Sequence, residues 1–92
     1  MHIGYITQFG WFKKNYNDPE EMRKDFAEYK KALKEHNIDL LFYAGSYGVP
    51  EPCMWAAKFK DIKDWEKASR ARVGQKNPLE KTRTLYGWDY EE

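Results

Sequence analysis

Apolar residues in this chain switch back and forth between the two-residue repeat of a strand and the helical repeat of about 3.6 residues. Residues 2–12 alternate Ile3, Tyr5, Thr7, Phe9 and Trp11 with His2, Gly4, Ile6, Gln8 and Gly10, which predicts a first strand. Met22, Phe26, Tyr29 and Leu33 then recur at helical spacing. Asp18-Pro19-Glu20-Glu21 gives that helix a capping residue, a proline at its first position and a carboxylate at the capping-box position. Lys30, Lys31 and Lys34 suit its C-terminal end, and Asn37 suits a left-handed stop.

The same alternation repeats in the second half. Residues 39–48, around Leu40-Leu41-Phe42-Tyr43-Ala44, predict a second strand, and residues 53–60, around Cys53–Phe59, a third. Gly45, Gly48, Pro50 and Pro52 mark the turn between them. Asp61 caps a second helix striped by Ile62, Trp65, Ala68 or Ser69, and Val73, and ended by Gly74. Asn77-Pro78-Leu79-Glu80 reads as a capped turn before a fourth strand at Thr82–Tyr90. The order is βαββαβ. It predicts one α+β domain spanning residues 1–92, a ferredoxin-like four-stranded antiparallel sheet with two helices on one face.

Polar residues sort the two faces of that sheet. Lys58 is costly under a helix, so Trp55, Ala57 and Phe59 are expected to face the helices. The same reasoning directs Gln8 and His2 outward and Ile3, Tyr5 and Phe9 inward. Leu40, Phe42, Ala44 and Leu85 are likewise expected inside, with Leu41, Tyr43, Met54, Ala56, Tyr86 and Trp88 on the open face. A one-residue change of register inverts the list for any strand. An open face this apolar calls for a partner, and a domain this short gains stability from one. A homodimer joined through the open faces is therefore expected.

Composition excludes several classes. The 16 basic and 15 acidic residues are well mixed, giving net charge +1 and no field suited to nucleic acid or an acidic membrane. No apolar run approaches the roughly 20 residues that span a bilayer. The start lacks a signal-peptide layout, and a single cysteine, Cys53, fits a reducing, cytoplasmic setting. Cys53 reads as a small buried hydrophobe. The third strand, Cys53-Met54-Trp55-Ala56-Ala57, lacks the aromatic motif of an RNA-recognition domain. Gly10-Trp11-Phe12-Lys13-Lys14 lacks the anion loop and arginine of an acylphosphatase. Gly45-Ser46-Tyr47-Gly48 has no following phosphate-binding helix.

The stretch Ala57-Lys58-Phe59-Lys60-Asp61-Ile62-Lys63-Asp64-Trp65 resembles the third strand and second helix of the dimeric α/β-barrel superfamily. The tract Asn77-Pro78-Leu79-Glu80 before a closing strand is similar to several members as well. The resemblance implies two sheets paired around a central cavity. It is compatible with cofactor-free monooxygenases, isomerases, cyclases, haem-degrading enzymes and ligand sensors, so the fold alone selects no reaction. No catalytic residue is carried over from it.

The expected function is binding of a small, largely apolar or aromatic molecule, with or without cofactor-independent conversion. The alternative is a non-catalytic dimeric module that senses a ligand or packs. Tyr43, Lys58, Tyr86, Trp88 and Gln8 are the expected ligand contacts. Lys58 and His2 are the candidates for handling charge or a proton. The histidines, His2 and His36, have no metal-ligand spacing, so neither a metal site nor haem is expected and no cofactor is assigned. Arg70, Arg72 and Arg83 read as a solvated face.

Overall fold

A computed structural model describes residues 3–90. Strand β1, Gly4–Phe12, leads to helix α1, Pro19–Lys34, then to β2, Asp39–Gly45, and β3, Cys53–Phe59. Helix α2, Ile62–Arg70, and a short 3-10 helix, Val73–Lys76, precede β4, Leu79–Trp88. All pairings are antiparallel, in the order β2-β3-β1-β4. This is the βαββαβ ferredoxin-like arrangement expected from the sequence.

Both helices begin as their caps dictate. The Asp18 carboxylate accepts from the Glu20 amide at 2.9 Å, and Asp61 accepts from Lys63 at 2.9 Å. Asn37 ends the α1 segment with φ 61°, and the Ile38 amide returns to the Leu33 carbonyl at 3.1 Å. Phe26, Tyr29, Ala32 and Leu33 are buried against the sheet. Helix α2 is shorter than its stripe suggested. It stops at Arg70, and Arg72, not Gly74, takes the left-handed conformation, with φ 60°. Val73 is still buried, but from the 3-10 helix.

The third strand faces as expected: Trp55, Ala57 and Phe59 lie under the helices, with Met54, Ala56 and Lys58 opposite. The other three strands correct the sequence reading. Gly4, Ile6, Gln8 and Gly10 form the buried row of β1, and Tyr5, Thr7 and Phe9 lie on the open face. The reason is volume. Rings from β3 and α1 already fill the core, so β1 contributes small residues there. A Cβ on Gly4 would lie 2.4 Å from the Phe59 ring. Gln8 tolerates burial because its amide is hydrogen-bonded on both sides.

A bulge corrects β2. Leu40 pairs with Ala57 and Phe42 with Ala56, leaving Leu41 as an extra residue. Phe42 and Ala44 therefore turn to the open face, and Tyr43 turns to the helix side. A second bulge lies on β4, where Trp11 pairs with Glu80 but Phe9 with Arg83; Lys81 there has φ 52°. Leu85, opposite Thr7, lies on the open face, whereas Tyr86 and Trp88, opposite Ile6 and Gly4, lie on the helix side. The second strand is also shorter than expected, ending at Gly45, and β4 begins earlier, at Leu79.

No helix among the described residues is long and apolar enough to cross a membrane.

Candidate functional site

The five expected ligand contacts do not share one surface. Lys58 is on the open face, half-buried between Tyr5 of β1 and Asp39 of β2. Tyr43 stacks on Phe26 of α1 with ring centroids 4.1 Å apart. Trp88 meets Phe59 edge-on at 5.5 Å. The Tyr86 hydroxyl accepts from Trp65 Nε1 at 3.1 Å, tying β4 to α2. Gln8 lies beneath the helices. His2 lies outside the described residues. His36 is half-buried just past the end of α1.

Gln8 marks a site that the sequence did not delineate. A cleft of about 460 Å³ opens between the sheet, α2 and the 3-10 helix. Gln8, Tyr29, Trp65, Arg72, Asn77 and Thr82 are among the residues lining it. Three properties give it chemical character. First, Gln8 and Asn77 are only 6% and 7% exposed. Gln8 Nε2 donates to Thr84 Oγ1 at 3.1 Å, Asn77 Nδ2 donates to Gln8 Oε1, and Asn77 Oδ1 accepts from the Leu79 amide at 3.0 Å. Each side-chain amide keeps one N–H beyond these bonds.

Second, Tyr29 is 1% exposed, lines the cleft, and has no hydrogen bond from its hydroxyl to any described residue. Burial pushes its phenol well above the ordinary value, so it stays protonated and able to donate. Third, Arg72 lines the cleft with no ion-pair partner among the described residues. Its left-handed backbone is unusual for a residue other than glycine or asparagine. Trp65 supplies an aromatic wall and is held by Tyr86.

The open face is a second, different surface. Phe42 and Leu85 are each 49% exposed, and Phe9, Met54 and Tyr5 are half-buried beside them. At one end the β2–β3 loop is fastened over it. Glu51, 5% exposed, accepts from Arg83 Nε at 2.7 Å and from Nη2 at 3.1 Å, and Arg83 lies 5.0 Å from the centre of the Phe9 ring. The Arg83 guanidinium holds the Glu51 carboxyl below its ordinary value. At the other end a hydrogen bond with Asp89 holds the Tyr5 phenol above its own.

Cys53 is buried, and that burial raises its thiol pKa, as suits a packing residue. No group of three or more metal-ligating side chains occurs among the described residues.

The fold and the helix-side cleft define a ferredoxin-like α+β domain with a small-molecule-sized recess. No family model matches the chain, and no curated protein does. Solved structures do. A DABB-family protein with a ferredoxin-like fold from Mesorhizobium loti superposes with TM-score 0.65 at 14% identity, covering 99% of this chain and 100% of that one. A dimeric protein of unknown function and ferredoxin-like fold from Bacteroides fragilis gives TM-score 0.50 at 12% identity, covering 94% of each chain. SnoaB, a cofactor-independent oxygenase from Streptomyces nogalater, gives TM-score 0.50 at 12% identity, covering 99% of this chain and 93% of that one. These likenesses establish the fold, in agreement with the barrel superfamily that the sequence resembles.

Proposed function

We propose that this domain binds a small, largely aromatic molecule in the helix-side cleft, and that it does so as a homodimer joined through the open sheet faces. The observation that carries the binding site is the lining of the cleft, where the Tyr29 hydroxyl, without a protein partner among the described residues, lies beside two amides with spare N–H groups. A ligand oxygen would accept from these groups. Trp65 gives the apolar part of such a ligand a flat wall.

The dimer rests on the apolar open face, and the Bacteroides protein of the same fold is described as dimeric. The half-buried Lys58 and its neighbours Tyr5 and Asp39 would then sit within the interface. SnoaB makes cofactor-independent oxygenation the first activity to test. The lining of this cleft, which holds no histidine, cysteine or carboxylate, favours ligand sensing as the second reading. The free thiol of Cys53 suits a cytoplasmic setting.

A thermal-shift screen of small aromatic compounds against the wild type and Tyr29→Phe tests the site. Hits should raise the melting temperature of the wild type and lose most of that effect in the variant. The variant itself should fold, because phenylalanine keeps the buried ring and removes only the hydroxyl. Hits that stabilise both proteins equally would place binding elsewhere. Oxygen uptake with those hits then separates turnover from sensing.

A further inference from the structure

We propose that the ligand of the helix-side cleft is a planar organic anion, a carboxylate or an acidic phenol, whose charge is met by Arg72. The inference rests on the cleft being the binding site and goes further in fixing the charge of what enters it.

The argument is a census of the lining. Arg72 contributes a permanent positive charge, and no aspartate or glutamate is among the described residues that line the cleft. Ion pairs among the described residues hold Lys14 to Asp25, Arg23 to Glu20, Lys34 to Asp39 and Arg83 to Glu51. Other exposed cations, Arg70 among them, make none, and Arg72 is set apart by its place in the cleft lining. The inner groups point the same way. Tyr29 has a hydroxyl hydrogen to give, and Gln8 and Asn77 each retain one amide hydrogen. The Ser69 hydroxyl and Trp65 Nε1 already donate, to the Trp65 carbonyl at 3.0 Å and to Tyr86 at 3.1 Å. The recess therefore offers donors on its floor and a guanidinium at its rim. A neutral hydrocarbon leaves all of them unused, and a cation is repelled. An anionic oxygen accepts two or three at once, and hydrogen bonds to a charged acceptor are roughly twice as strong as neutral ones. Planarity follows from Trp65 as the wall.

Titration of 15N-labelled protein with 2-naphthoate and with its neutral isostere 2-naphthamide provides the test. Naphthoate should bind at least about tenfold more tightly, a difference expected of one charge-assisted contact. It should shift the amides of Ser69, Arg72, Val73 and Asn77. Arg72→Asn, chosen because asparagine accepts the left-handed backbone, should bring the two affinities together. In the wild type, raising the salt concentration should weaken naphthoate and leave naphthamide unchanged, a check that needs no variant. Equal affinities at the cleft would overturn the anion and leave the cleft as the site. Shifts confined to Phe9, Phe42 and Leu85 would overturn both. Failure of either probe to bind at millimolar concentration would overturn the anion, with the thermal-shift screen deciding the cleft separately.

Discussion

The two faces of one sheet follow different rules here. Under the helices, Trp55, Phe59, Phe26 and Tyr29 supply bulk, β1 supplies glycine and isoleucine, and the polar residues of β1 and the connection to β4 are bonded to one another. On the open face, Phe42, Met54 and Leu85 stand beside Lys58 and an ion pair, with no element of the chain packed over them. The helix side is closed over its core, with a recess rich in donors beside it and Tyr86 and Trp88 half-exposed along β4. The open side is apolar without being a core. Burial in this chain thus separates a surface finished by folding from one left for association.

The largest effect should come from placing a charge on each face in turn. Ala57→Asp puts a carboxylate among fully buried residues and should cost more than about 4 kcal/mol, seen as loss of a folded state in urea melts. Met54→Asp, three residues away on the other face, should leave the monomer folded. It should weaken the proposed dimer by about 3 kcal/mol or more, read by sedimentation equilibrium. Equal unfolding by both would erase the contrast.

A smaller effect tests whether the polar connection is structural. Asn77→Ala deprives the Leu79 amide and Gln8 Oε1 of partners and should cost about 1–3 kcal/mol in denaturant melts.

The smallest effect concerns pH. Arg83 holds the Glu51 carboxyl below its ordinary value of 4.5, so the pair's contribution is present in full above that value. It disappears as pH falls through the lower folded-state value. Wild type and Glu51→Gln should differ in melting temperature at pH 7 and converge once the pH lies below that lowered value. A gap that persists at low pH would mean that the loop is held by something other than charge.

These contrasts show what the sequence could reveal. Element order and helix starts were legible because Asp18, Pro19 and Asp61 act on their own immediate neighbours. The orientation of β3 was legible because Lys58 excludes one face. The remaining orientations were not, because each depends on something distant. Gln8 was placed outward as a polar residue, yet Asn77 and Thr84, far along the chain, satisfy it inside. Leu41 carries no bulge signature, and its extra residue turned Phe42 and Tyr43 over. The cleft escaped notice because its floor and rim come from five separate elements and the connections on either side of the 3-10 helix. Positive φ at Arg72 was a clue that no residue-type rule supplies.

The two bulges have a consequence beyond facing. Strands β2 and β4 are the free edges of the sheet, and each is interrupted, at Leu41 and at Lys81. A strand from another chain running beside either one would lose step within a few residues. Growth in the hydrogen-bonding direction, the route to ribbons and fibrils, is therefore blocked at both ends, and a chain carrying so many exposed aromatic residues is left with only finite ways to satisfy them.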